Sequence, residues 1–224
     1  MAAALLAATS LAPAAAAEIA WAMGPTFGGA LGHQGILTNG TVVQAINLTG
    51  TAGGTAVVDP GGLNLRFTSV NSPFFSSTFT DPANGIGDAA WSAIVRNFEW
   101  NPGGDVDAAA FLTGLTPGTA YQVQFFAGRS FVCCSNRSQT FGDGVGNVSP
   151  AISHGPLAFQ SIVGTFVADG TTQRIVFDDN SNNPTLSAYV LLDVTQPIPE
   201  PGTWALMLAG GALLHQRIRR RAVG

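Results

Sequence analysis

No lysine occurs in the 224 residues, only 10% of them are charged, and just two are cysteine. Lysine-free, charge-poor sequence lacks the long cationic side chains that usually solvate helix surfaces, so a helix-rich fold is disfavoured. The cysteines, Cys133 and Cys134, are neighbours; paired with each other they close no long loop and staple nothing. Histidine is equally scarce, with His33 and His154 alone between the terminal segments. No Cys-His or Ser-His-Asp motif stands out, and a non-enzymatic protein is expected. Basic charge is missing from the middle of the chain: Glu18 to Ile198 holds twelve acidic residues against five arginines. A nucleic-acid surface requires the opposite balance, so nucleic acid is not an expected partner.

The length suits one domain with short terminal extensions. Residues 1–17 form an alanine-rich apolar run that ends Ala15-Ala16-Ala17 before Glu18, the small-residue pattern read by signal peptidase, with Ala17 at the cut. No Arg precedes Arg66, so the basic n-region is absent, which a start site further upstream would repair. A buried Ala-rich helix is the competing reading, opposed by Pro13 and by the lack of polar periodicity.

At the other end, residues 196–224 read Pro197-Ile198-Pro199-Glu200-Pro201-Gly202, then an uncharged run from Trp204 to Leu214, then Arg217 and Arg219-Arg220-Arg221. Prolines keep a segment extended and open to a protease, an apolar helix enters a bilayer, and an arginine cluster stays cytoplasmic. The apolar run spans about 16 Å as a helix, roughly half a hydrocarbon core, and flanking residues with snorkelling arginines lengthen it. Pro199-Glu200-Pro201, Trp204-Ala205-Leu206-Met207-Leu208 and the terminal arginines together resemble a PEP-CTERM sorting signal. That resemblance implies processing by an exosortase, a membrane-embedded cysteine protease of Gram-negative bacteria that make extracellular polysaccharide. It also implies export across the inner membrane, transient anchoring through the tail, and a final place at the cell surface or in the matrix. A plain C-terminal membrane anchor is the alternative.

Between the ends, residues 18–195 carry a period of two. Leu63, Leu65 and Phe67 share one face while Asn64 and Arg66 point away, and similar runs cover Thr41 to Leu48, Ala108 to Leu112, Tyr121 to Ala127, Ile162 to Ala168, Arg174 to Asp178 and Leu186 to Val194. Gly, Pro, Asn and Asp clusters separate them, so an all-β antiparallel sandwich is expected. One segment differs: Trp91, Ile94, Val95 and Phe98 fall at helical spacing behind Asp88, a good N-cap, and predict one short helix whose aromatic face is a lid over a sheet or, less simply, a ligand site.

Leu112-Thr113-Gly114-Leu115-Thr116-Pro117-Gly118-Thr119-Ala120-Tyr121 resembles the corner before a strand in fibronectin-type and malectin-like sandwiches. Pro117-Gly118 is expected to turn the chain while the Tyr121 hydroxyl caps loop backbone and its ring packs inward. More than seventy residues follow before the tail, which suits a jelly roll resembling galactose-binding and malectin-like domains better than a fibronectin module. Tyr121-Gln122-Val123-Gln124-Phe125-Phe126, Cys133-Cys134, Gln139 to Gly144 and Gly164 to Gln173 also resemble an uncharacterised module common in PEP-CTERM proteins, one that carries no established catalytic residues.

Candidate sites are few. Asp105 and Asp107 fit a glycosidase dyad or, more simply, solvated turn acids. Asp178-Asp179-Asn180-Ser181-Asn182-Asn183 gathers oxygen donors, with Asp178, Asp179 and Asn182 as calcium candidates against a plain polar turn; otherwise no cofactor is expected. Cys133 and Cys134 form either a vicinal disulfide or separate thiols, and Arg129, Phe131 and Asp143 flank them as a possible ligand loop. Asn39, Asn47, Asn136 and Asn147 each begin an Asn-x-Ser/Thr triplet, which a bacterium leaves unused. Two functions follow as expectations: a structural or adhesive surface protein handled by signal peptidase and exosortase, or a glycan-binding module for extracellular polysaccharide on the same scaffold.

Overall fold

A computed structural model of the chain describes residues 16–28, 32–48, 55–70, 77–80, 88–100, 108–127, 138–153, 160–179 and 184–195. Residues 1–194 and 195–224 are separate units, and the architecture below is that of the first. Its strands are β1 (Ala20–Met23), β2 (Thr41–Leu48), β3 (Thr55–Val58), β4 (Leu65–Val70), β5 (Ser77–Thr80), β6 (Asn97–Trp100), β7 (Ala108–Thr113), β8 (Ala120–Phe126), β9 (Ser138–Gly142), β10 (Ile152–Ser153), β11 (Ser161–Val167), β12 (Thr172–Asp179), β13 (Thr185–Leu186) and β14 (Ala188–Asp193), with helix α1 (Ala89–Val95) between β5 and β6. They form a seven-stranded sheet ordered β1-β11-β8-β14-β2-β4-β3, a four-stranded sheet ordered β10-β9-β12-β7, and a small sheet ordered β13-β6-β5.

Alternation along β8 explains the layering. Tyr121, Val123 and Phe125 point to one side and join Ile162, Phe166, Tyr189 and Leu191 from the same sheet with Leu112, Phe141, Ile175 and Phe177 from the four-stranded sheet. This is the sandwich interior, where Phe125 and Phe141 stack at 5.2 Å and Phe177 meets Phe141 edge-on at 5.3 Å. Phe126 points the other way, into a second core with Phe27, Ile36, Phe67, Trp91, Ile94, Val95, Val190 and Leu192. The large sheet is therefore covered on both faces, by a sheet on one and by α1 and the 3-10 turn Gly32–Gly35 on the other.

The predicted helix is present and is a lid. Asp88 caps it by accepting the Trp91 N–H at 3.0 Å, and the Trp91 indole N–H donates to the Phe27 carbonyl at 2.9 Å. Phe98, however, belongs to β6. The helix stops at Val95, and the Asn97 side chain donates to the Ala93 carbonyl at 3.0 Å, satisfying a C-terminal acceptor that another helical turn would have used.

Two further expectations are corrected. The alternation expected from Leu63 begins at Leu65, because Asn64 has φ of 49° and Leu63 is 42% exposed. The large sheet is also mixed: β2 pairs β4 in parallel, while the other pairings are antiparallel. After β2 the chain reverses at the far edge as β3, then turns back as β4 into the gap between them.

The expected corner is in place. The Tyr121 hydroxyl accepts the Thr116 N–H at 2.9 Å, Thr119 N–H closes the turn on Thr116 carbonyl at 3.1 Å, and Gly118 sits at φ of 81°. A side chain there would be strained, which is why the turn takes glycine after proline. Among the described residues no helix is long and apolar enough to cross a membrane; the expected tail helix and residues 1–15 of the expected signal lie outside them, while Ala16 and Ala17 are described and are not helical.

Candidate functional site

Three buried glutamines organise the parts of the fold that strands do not. Gln124, Gln139 and Gln173 are each 1% exposed, and each uses its amide as a substitute peptide group. Gln124 accepts the Leu37 N–H at 2.9 Å and donates to the Gly35 carbonyl and the Ser161 hydroxyl. Gln139 accepts the Thr185 N–H and donates to its carbonyl, both at 2.8 Å. Gln173 does the same for Ala17, accepting its N–H at 3.0 Å and donating to its carbonyl at 3.1 Å. A side-chain amide that meets both backbone groups of one residue satisfies buried polar atoms where no neighbouring strand is present.

Asp143 completes the hold on the N-terminal segment. Its Oδ1 accepts the N–H groups of Val145, Gly146 and Asn147 at 2.9, 3.0 and 3.1 Å, and Oδ2 accepts the Asn147 amide at 2.8 Å and the Ile19 N–H at 3.1 Å. The carboxylate is fully buried. Burial pushes its pKa up, but these donors outweigh burial and hold it below the ordinary carboxylate value. Gly144, at φ of 78°, lets the loop wrap the carboxylate, and a Cβ there would stand 3.0 Å from the Arg174 guanidinium. Asp143 thus acts within the fold, binding loop 143–147 to the entry of β1.

Beside this clamp, a groove of about 490 Å³ is lined by Glu18, Ile19, Ala20, Ala120, Asn147, Thr165, Phe166 and Val167. It opens where residues 16–19 leave the path of β1 toward β12, so the last two residues of β11 have no β1 partner. Its walls are mainly apolar and carry one carboxylate, Glu18.

A second polar group joins the 3-10 turn to α1. The His33 Nδ1–H donates to Asp88 Oδ2, the Gln34 amide donates to His33 Nε2 at 2.7 Å, and the Gly61 N–H donates to Gln34 Oε1 at 3.3 Å. Burial raises the Asp88 pKa; the Trp91 N–H and His33 more than offset it, and the result is lowered. The pair is legible in sequence only as two isolated residues 55 positions apart, with no motif to connect them.

Among the described residues the outer face of the four-stranded sheet presents one half-exposed aromatic, Phe111, at 53% exposure. Arg174 is its cross-strand partner, and Asp178, opposite Thr140, lies farther along the same strand. Among the described residues no group of three or more His, Cys, Asp and Glu could hold a metal ion. Asp178 is exposed on β12; the Asp179 side chain and Asn182 lie outside the described residues. So do Asp105, Asp107, Arg129, Phe131, Cys133, Cys134 and His154, and the sorting residues Pro199, Glu200, Pro201, Arg217, Arg219, Arg220 and Arg221.

No known family model, curated protein or solved structure matches the chain. The residues above, and the order of the terminal segments, therefore carry the functional argument.

Proposed function

We propose that the chain is an exported structural or adhesive protein of the bacterial surface or extracellular matrix, delivered with a removable C-terminal sorting tail. The observation that carries this reading is where the fold finishes. β14, the last strand among the described residues, lies in the middle of the seven-stranded sheet between β8 and β2 and ends at Asp193, four residues before the prolines of the tail begin at Pro197. Among the described residues every strand partner lies upstream of the Pro-Glu-Pro motif, so a cut near Pro199-Glu200-Pro201 leaves these pairings intact. Exosortase and signal peptidase are the processing partners on this reading, and the scaffold is of the jelly-roll kind, akin to galactose-binding and malectin-like domains.

Intact-mass measurement of the secreted and membrane-bound forms from the native host tests it. A secreted form ending near residues 199–201 is expected; one that retains Arg219 to Arg221 refutes the sorting role.

A glycan-binding role has one observation of its own. Phe111 stands half-exposed on the outer sheet face with an arginine opposite, and with the Asp178 carboxylate and Thr140 hydroxyl farther along the neighbouring strands. Stacking of a sugar ring on an aromatic face, framed by polar groups, is the usual chemistry of carbohydrate contact. A glycan array with and without a calcium chelator distinguishes the two roles. Saturable binding lost in Phe111→Ala supports the lectin role, and absence of binding by a folded sample leaves the structural one.

A further inference from the structure

The alanines immediately before Glu18 offer signal peptidase two adjacent cuts. Ala15 and Ala17 supply small residues for a cut before Glu18, and Ala14 and Ala16 supply them for a cut one residue earlier. The peptidase reads an extended chain and does not distinguish them by side chain.

The folded domain does distinguish them. Ala17 is half-buried against the sandwich core, and its N–H and carbonyl are both held by the side chain of Gln173. Gln173 is 1% exposed, so the amide has little access to water as a replacement partner. A chain beginning at Glu18 keeps the Asp143 bond to Ile19 but loses both Ala17 bonds, leaving a buried amide oxygen without its donor.

From this we infer that Ala17 is the first residue of the mature protein and that signal peptidase cuts the Ala16–Ala17 bond. The inference rests on the export reading above and specifies its N-terminal processing site. After the cut, the new ammonium of Ala17 donates to Gln173 Oε1 in place of the peptide N–H, a charge-assisted bond in the same position.

N-terminal sequencing of the exported form from the native host is the primary test, and Ala17 is the expected first residue. A first residue of Glu18 or beyond overturns the inference and leaves export intact. A chain found with Met1 in the cytosol overturns the export reading and the inference with it. Stability supplies a second measurement on two otherwise identical chains, one beginning at Ala17 and one at Glu18. The shorter is expected to melt about 2–8 °C lower, and Gln173→Ala is expected to abolish most of that difference. Equal melting temperatures, or a difference unchanged by Gln173→Ala, refute the role given to Ala17.

Discussion

Asp88 has two acceptor roles that respond to pH together: it caps α1 through the Trp91 N–H and takes the His33 ring N–H. Its folded pKa is lower than its ordinary value of 3.8, so its contribution to stability is complete above that range and is lost as pH falls through the lower, folded value. The same sign holds for Asp143. Urea midpoints measured from pH 7 to pH 2 are therefore expected to drop on the acid side, and Asp88→Asn, which keeps a capping oxygen but no charge, should drop less steeply. At neutral pH Asp88→Ala is expected to lose about 1 kcal/mol, the usual value of an N-cap. Tyr121→Phe tests a different contact. It leaves the half-buried Thr116 N–H without the hydroxyl at 2.9 Å, and denaturant unfolding should show a loss of about 1 kcal/mol with an unchanged m-value.

Loop 143–147 shows how much an irregular element gains from one side chain. Five donors converge on Asp143, and Asp143→Ala strands those that remain buried, so a loss of about 3 kcal/mol or more is expected. Asp143→Asn should fall between: its oxygen keeps the three loop N–H groups, while its NH₂ faces the donors of Ile19 and Asn147. Hydrogen exchange at the Ile19 amide reads the clamp directly, and exchange there should accelerate in both variants. How far such elements were legible in the sequence depended on the solvent beside them. Runs such as Thr41 to Leu48 and Tyr121 to Ala127 declared themselves by alternation, and Asp88 with Trp91, Ile94 and Val95 declared the helix. Alternation does not reveal the burial of Gln124 between Val123 and Phe125, because the large sheet is covered on both sides and the polar side chain serves the backbone of Gly35 and Leu37. Strands β3, β5 and β6 were not distinguished, being four residues each; too few to fix a period. Phe98 fitted a helical spacing by coincidence with a strand that starts two residues after α1 ends. The N-terminal clamp had no local signal, since Ala17 and Gln173 lie 156 positions apart.

At the scale of the whole molecule, the last strand among the described residues is central in its sheet. Tyr189 and Leu191 of β14 belong to the sandwich core, and Val190 and Leu192 to the core under α1, so this one strand joins the two interiors. Its pairings set Ala188 against both Asn47 of β2 and Phe126 of β8, far away in sequence, and such non-local partners are slow to meet during folding. A chain stopped at Ser187 lacks these four side chains; each contributes about 1.5–3 kcal/mol on burial, which together rivals the net stability of an ordinary domain. It is expected to show no cooperative thermal transition by circular dichroism and to lack dispersed amide resonances. A chain stopped at Thr195 keeps all of β14 and should melt cooperatively within about 2 °C of the chain that carries the tail, a shift worth less than about 1 kcal/mol at this size. Cooperative melting by the Ser187 chain, or collapse of the Thr195 chain, would contradict a fold completed by β14, and with it the physical reason for regarding the tail as removable.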